Sequence, residues 1–139
     1  MRQQFDTLNV ATHGPGLYDI TKPAQNFVRS AGMANGLLTC FIRHTSASLL
    51  IQENADPDVL IDLENFMRRL VSRDPALYRH TTEGPDDMPS HIRSALTATS
   101  LGIPLRAGRL ALGTWQGLYL FEHRDAQHDR EVMLHLIGA

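Results

Sequence analysis

Arg109-Leu110-Ala111-Leu112-Gly113-Thr114-Trp115-Gln116-Gly117-Leu118-Tyr119-Leu120-Phe121 is the stretch where the chain leaves helical spacing for strand-like runs. Arg109 to Gly113 and Leu118 to Phe121 read as strands, and Thr114 to Gly117 as a hairpin-like turn between them. Glu131 to Ile137 alternates again, so the C-terminal third is sheet-forming.

Upstream the period is helical. Asp56 before Pro57 is a helix start, because its side chain can accept a backbone N–H where proline needs none. Leu60, Leu63, Met67 and Leu70 then mark the buried face of a helix over 56–72. A shorter helix is expected over 90–100, with Ile92, Ala95, Leu96 and Thr99 inward and Gly102 past its end. Thr21 is expected to cap a third, with Lys22 and Pro23 in its first turn and Phe27, Val28 and Ala31 as its stripe.

Nearer the N-terminus, Leu37 to Arg43 has the composition of a buried strand, and Phe5 to Val10 reads as another before the break at His13-Gly14-Pro15-Gly16. Loops are expected at 13–16, 72–89 and 123–130. Helices in the middle and strands at the ends predict a compact α+β fold: one domain over 1–139, an antiparallel or mixed sheet and two to three helices.

With 139 residues there is room for one core and not two. Apolar residues at 42% and charged residues at 20% exclude a disordered chain. Net charge −2 gives no general cationic field, so a nucleic-acid role would need a local patch such as Arg68, Arg69 and Arg73, which reads better as a solvated helix face. No apolar run is long enough for a bilayer, and the start of the chain lacks a signal peptide's apolar core. The single cysteine, Cys40, lies mid-strand in an apolar run, which disfavours it as a nucleophile. These features together predict a soluble cytoplasmic protein with no nucleic-acid or membrane partner.

There are seven histidines, and three of them, His44, His80 and His91, stand beside turns or strand ends. Any one alone reads better as a surface or structural histidine; grouping with acids shifts the balance. His44-Thr45-Ser46-Ala47-Ser48 and Gln52-Glu53-Asn54-Ala55-Asp56-Pro57-Asp58 collect hydroxyls, an amide and carboxylates, suited to phosphate oxygens and to a divalent cation. Capping explains Asp56 equally well, and Asp58 with Asp62 reads as a pair of solvated acids. Glu83-Gly84-Pro85-Asp86-Asp87-Met88-Pro89-Ser90-His91 is an acidic turn stiffened by Gly and Pro. Trp115 can floor a pocket or plug the core, and Glu122, Arg124 and Arg130 offer one acid and two phosphate partners. P-loop, dinucleotide-binding, nucleophile-elbow and Cys-x-x-Cys patterns are absent.

Taken together, His44-Thr45-Ser46-Ala47-Ser48, Glu53-Asn54-Ala55-Asp56, Tyr78-Arg79-His80, Asp86-Asp87-Met88-Pro89-Ser90-His91 and Leu112-Gly113-Thr114-Trp115-Gln116 closely resemble the YjbQ-like family, in order and over nearly the whole chain. The resemblance implies a homotrimer with a polar pocket near subunit boundaries. It also implies a secondary thiamine-phosphate synthase activity, a transferase that joins a pyrimidine diphosphate to a thiazole phosphate with loss of diphosphate. The alternative is a non-catalytic trimer that binds a metabolite or metal. The site carries over to His44, Thr45, Ser46, Glu53, Asn54, Asp56, His80, Asp87, His91, Trp115, Gln116 and Glu122. Among these, His44, Glu53, Asp56, His91 and Glu122 are the catalytic candidates. Thr45, Ser46, Asn54, Trp115, Gln116, Arg124 and Arg130 are expected to hold a phosphorylated ligand. His44, His80 and His91 are expected to meet on one divalent ion, zinc if imidazoles dominate and magnesium or manganese if acids do.

Overall fold

The computed structural model describes residues 1–139. In chain order the elements are β1 (Arg2–His13), β2 (Gly16–Asp19), α1 (Thr21–Ala31), β3 (Gly36–Ile42), β4 (Ala47–Glu53), α2 (Pro57–Leu70), α3 (Asp87–Leu96), β5 (Ser100–Arg106), β6 (Arg109–Leu110), β7 (Gln116–Glu122) and β8 (Gln127–Gly138). A short 3-10 turn, Pro75–Leu77, lies between α2 and α3. Five strands form one sheet in the order β1-β8-β3-β5-β6, and three form a second in the order β2-β7-β4. Every pairing is antiparallel. The fold is therefore a single α+β domain with three helices, as the change of period predicts.

Inward residues of both sheets meet in one core. Leu38, Cys40 and Ile42 of β3, Val132, Leu134 and Leu136 of β8, Leu49 of β4, and Leu118 and Leu120 of β7 are buried there, with Ala24, Phe27 and Val28 of α1 against them. The alternation of β8 fixes its register: a slip of one residue would turn Val132, Leu134 and Leu136 out to solvent. Gly36 faces Gly138 in that register, and a Cβ at either position would collide with the opposing backbone.

The hairpin expected around Thr114 to Gly117 does not form. β6 pairs with β5 in the larger sheet, whereas β7 is the central strand of the smaller one, so residues 111–115 carry the chain from one sheet to the other. Gly117 to Glu122 is buried throughout. A continuous apolar run bounded by turns is the mark of a strand covered on both faces, which the hairpin reading overlooks.

Two helices also depart from expectation. Of the stripe assigned to α2, only Met67 is buried, and Leu70 is 55% exposed. The helix lies over the four-residue β2, too short a strand to cover four turns. The helix expected at 90–100 begins at Asp87 and ends at Leu96, and residues 100–106 are strand β5. Its buried side is Asp87, Pro89, Ser90, Arg93 and Ser94, while Leu96 is 59% exposed, so it docks by a polar face that apolar periodicity does not detect. Thr21 opens α1 without capping it; its hydroxyl instead accepts a hydrogen bond from Leu118 N at 2.8 Å.

Candidate metal centre

Asp87 is the first residue of α3, and His91 follows one turn later on the same face. His80 arrives from the loop after the 3-10 turn. Its Nε2 lies 2.6 Å from Asp87 Oδ2, and His91 Nε2 lies 3.1 Å from the same oxygen. Ligating atoms of His80, Asp87 and His91 all fall within 4.8 Å of one another. Asp87 is almost fully buried, while the two rings keep partial access to solvent.

The other ring nitrogen of His91 faces the Thr45 carbonyl at 2.9 Å. A carbonyl can only accept, so His91 Nδ1 donates to it and Nε2 is the nitrogen turned toward Asp87. Burial pushes the Asp87 carboxyl up, but the His80 hydrogen bond, the Arg124 charge and His91 outweigh it, and the group stays below the usual carboxylate range. The same three ligand atoms could instead surround a cation, each imidazole then turning a lone pair toward it. A backbone carbonyl behind a histidine is also the arrangement that orients metal-ligating imidazoles.

Arg124 grips the helix start from below: Nε donates to Asp86 Oδ2 at 2.8 Å, Nη1 to Asp87 Oδ1 at 2.6 Å and Nη2 to the Glu83 carbonyl at 3.2 Å. Its backbone N–H donates in turn to Glu122 Oε2 at 3.1 Å. Glu122 is fully buried and pairs with Arg130 through Nε at 2.7 Å and Nη2 at 2.5 Å, while Thr12 donates to it at 2.5 Å. Arg130 Nη2 also reaches Ser46 Oγ at 3.0 Å, beside the Thr45 carbonyl that holds His91. Burial raises the Glu122 pKa, but Arg130 and Thr12 outweigh it and keep the group low. Thus a single buried carboxylate supports both sides of the site.

Within this chain the expected site residues fall into separate groups. Glu122 is sealed from solvent, so it positions its neighbours and cannot act on a ligand. Arg124 and Arg130 are committed to internal carboxylates rather than open to phosphate. His44 stands apart from the His80–Asp87–His91 cluster; its Nε2 accepts a hydrogen bond from Glu131 N at 2.8 Å, which occupies that lone pair. Burial and then the Arg130 charge lower its pKa.

Asn54 donates to the carbonyls of Thr114 and Gln116 at 3.1 and 3.3 Å, Asn54 N to Trp115 O, and Gly113 N to Gln116 Oε1. Glu53 accepts locally from Ala55 N, and Asp56 caps α2 through Asp58 N at 2.9 Å. These residues shape a surface turn. Trp115, 65% exposed, neither floors a pocket nor plugs the core.

The sequence reading missed several polar residues. Thr12 lies on β1 in line with inward Val10, the one available signal. His123 is buried, with Nε2 2.9 Å from Ser48 Oγ and with Nδ1 unpartnered, and burial followed by the Arg93 charge lowers its pKa to about 3. Nothing in the pattern Leu120-Phe121-Glu122-His123 marks the last two as buried. Cys40, by contrast, is pushed up to about 12 by burial, in keeping with the absence of a nucleophilic role.

Comparison with known proteins bears on the remaining expectations. The family described as UPF0047 protein YjbQ-like matches residues 6–139. The UPF0047 protein sll1880 of Synechocystis sp. is 56% identical over 137 residues, 99% of this chain and 93% of the relative. The UPF0047 protein YjbQ of Escherichia coli O157:H7 is 42% identical, covering 95% of this chain and 96% of its own length. A conserved hypothetical protein of Thermus thermophilus, solved by crystallography, superposes with a TM-score of 0.85 at 34% identity, over 95% of this chain and 99% of that one. Each of these descriptions gives a family or calls the protein hypothetical, and none names an activity. The expectation of thiamine-phosphate synthase activity, and of a transferase, is therefore withdrawn. No helix is long and apolar enough to cross a membrane.

Proposed function

We propose, given that this chain belongs to the UPF0047 YjbQ-like family, that it binds one divalent transition-metal ion through His80 Nε2, Asp87 Oδ2 and His91 Nε2. The observation that carries this is the convergence of His80 Nε2, Asp87 Oδ2 and His91 Nε2 within 4.8 Å of one another, with the opposite edge of the His91 ring fixed by Thr45 O. Two imidazoles and one carboxylate suit zinc among the commoner ions, and three protein ligands leave a coordination position for water or a small ligand. Tetrahedral zinc, with bonds of about 2.0–2.2 Å, holds its ligand atoms roughly 3.3 Å apart, so the 2.6 Å contact of His80 with Asp87 and, slightly, the 3.1 Å contact of His91 with Asp87 must widen. A cleft of about 160 Å³ lined by Pro75, Tyr78, His80, Met88 and Pro89 opens beside the cluster and would admit a ligand of few heavy atoms.

Titration of chelator-treated protein with zinc, followed by calorimetry, tests the reading. One ion per chain is expected, with affinity falling at least tenfold in His80→Ala and in His91→Ala and unchanged in His44→Ala. Absence of saturable binding would sink it. Cobalt substitution supplies a second readout, a visible spectrum that reports ligand number.

We further propose that copies of the chain assemble as a homotrimer through the outer face of the five-stranded sheet. Phe5, Leu37, Phe41 and Ile137 stand on that face, each more than a third exposed. Gln3, Thr39 and His135 share the face with them, and large apolar side chains grouped in this way on one open sheet face favour a covered surface. Solution mass would decide it: a monomer at micromolar concentration, or a mass unchanged in Phe41→Asp, would overturn the assembly. We place the protein in the cytosol, in keeping with a single buried free thiol.

A further inference from the structure

We propose that the groove between α1 and the β5–β6 hairpin is a second ligand site, one that binds the phosphate of a small phosphomonoester. The groove has a volume of about 450 Å³, and Gln25, Val28 and Arg29 line one side while Arg109 and Leu110 line the other. None of these residues takes part in the metal centre, so the site is independent of that reading.

Its two arginines have no carboxylate partner, as is also true of Arg2, Arg69, Arg79 and Arg93, but only Arg29 and Arg109 share one groove. Arg43, Arg68, Arg73, Arg124 and Arg130 each have a carboxylate partner. Arg29 has only a long hydrogen bond to Asn26, at 3.4 Å, and neither Arg106 nor Arg109 makes a side-chain hydrogen bond or ion pair. Arg29 can be read simply as a cation in the last turn of α1, favoured by the helix dipole. Arg109 cannot. It stands directly opposite Arg106 in the hairpin register, and like charges facing each other across paired strands repel.

The turn that imposes this repulsion is itself held in place. Ala107 at φ 50° and Gly108 at φ 76° form the two-residue turn, which puts an alanine in the left-handed region. Asn35 Oδ1 accepts from Ala107 N at 3.3 Å, and Ala34 O accepts from Gly108 N at 2.8 Å. Strain of this kind persists where surrounding structure enforces it, commonly at ligand sites. The outcome is a backbone that sets Arg109 at the groove that Arg29 shares, with no internal acid to neutralise either.

Guanidinium forks match phosphate oxygens, and two cations suit the dianion of a phosphomonoester better than a single carboxylate. Val28 and Leu110, both largely buried, give the groove an apolar floor, and the Gln25 amide can bond a hydroxyl or carbonyl of the organic group. Arg124 and Arg130, the arginines that sequence alone nominates for phosphate, are both committed elsewhere.

Phenyl phosphate titrated into chelator-treated full-length protein in phosphate-free, low-salt buffer tests the site by calorimetry. One-to-one binding is expected, weakened at least tenfold by Arg29→Ala and by Arg109→Ala, and at least tenfold weaker for benzoate, which has the ring but a single charge. His91→Ala should bind as the wild type does. Arg109→Gln keeps the bulk of the side chain and should reproduce the loss if the alanine variant melts early. No saturation at millimolar phenyl phosphate, unchanged binding in both arginine variants, or loss in His91→Ala would each overturn the proposal.

Discussion

His91 turns its Nε2 to within 3.1 Å of Asp87 Oδ2, one helical turn back, while its Nδ1 donates to the carbonyl of Thr45. The contact joins α3 to the loop between β3 and β4, so the same pair that offers ligands to a metal also ties two elements together. Asp87→Asn keeps the shape and removes the charge. Zinc affinity should fall at least tenfold by calorimetry. The carboxyl titrates below its ordinary value, so its stabilisation is present above the unfolded pKa of about 3.9 and is lost as pH falls through the folded value. Melting temperature plotted against pH should therefore show a shallower acid limb in the variant, and an identical limb would contradict the assignment.

Glu122 and Arg130 form an ion pair with almost no solvent access. Removing one buried partner leaves the other uncompensated, at a cost of about 3–5 kcal/mol. Glu122→Gln should lower the urea midpoint accordingly. The double variant Glu122→Gln, Arg130→Met should be less destabilised than the sum of the single changes, because the two side chains touch. Strict additivity would show that the pair is not coupled.

His123 is neutral in the fold, with its pKa lowered to about 3 by burial and then by the Arg93 charge, against about 6.5 in an unfolded chain. Between those values the unfolded chain binds the extra proton, so stability falls as pH falls, by up to about 1.4 kcal/mol per pH unit. His123→Gln keeps a polar partner for Ser48 and cannot titrate. Its unfolding free energy should be flatter across that window in denaturant melts taken at several pH values.

Asp56 caps α2 by accepting from Asp58 N at 2.9 Å. Asp56→Ala should cost about 1 kcal/mol, whereas Asp56→Asn should lose only a few tenths, since asparagine caps nearly as well. Equal losses in the two variants would show that charge, not capping, matters there.

Ala107 occupies a left-handed position at φ 50°, in a turn that favours asparagine followed by glycine. Ala107→Asn supplies that pair with Gly108 and should raise stability by about 1 kcal/mol. A lower melting temperature would mean that Ala107 makes a contact worth more than the strain.

Strands were legible where apolar residues alternate or run together. β3 falls close to the expected Leu37–Arg43 and Asp56-Pro57 places the start of α2, whereas β8 contains the expected Glu131–Ile137 but begins at Gln127, inside the segment 123–130 expected as a loop. The face of α3 was not legible, because Ser90, Arg93 and Ser94 are inward and satisfied by partners distant in sequence: Ser90 by the carbonyl of His123, Ser94 by that of Ala47. The candidate centre divides in the same way. Asp87 and His91 are one turn apart on α3, but the helix expected from residue 90 left Asp87 in the turn before it, so the sequence named both residues without placing them on one face.

Periodicity, caps and motif order are local properties of the chain, and for that reason several elements, the family and the chemical kinds of residue available could be read along it, while β4 and β5 could not. Which residues act together was settled by packing in three dimensions. Packing separated β6 from β7 into different sheets, enclosed Glu122 with Arg130, gave the nearer lone pair of His44 to a backbone N–H, and brought His80 to Asp87. Those outcomes depend on which polar group finds a partner once water is excluded, and the partner is set by how sheets and helices meet, not by distance along the chain.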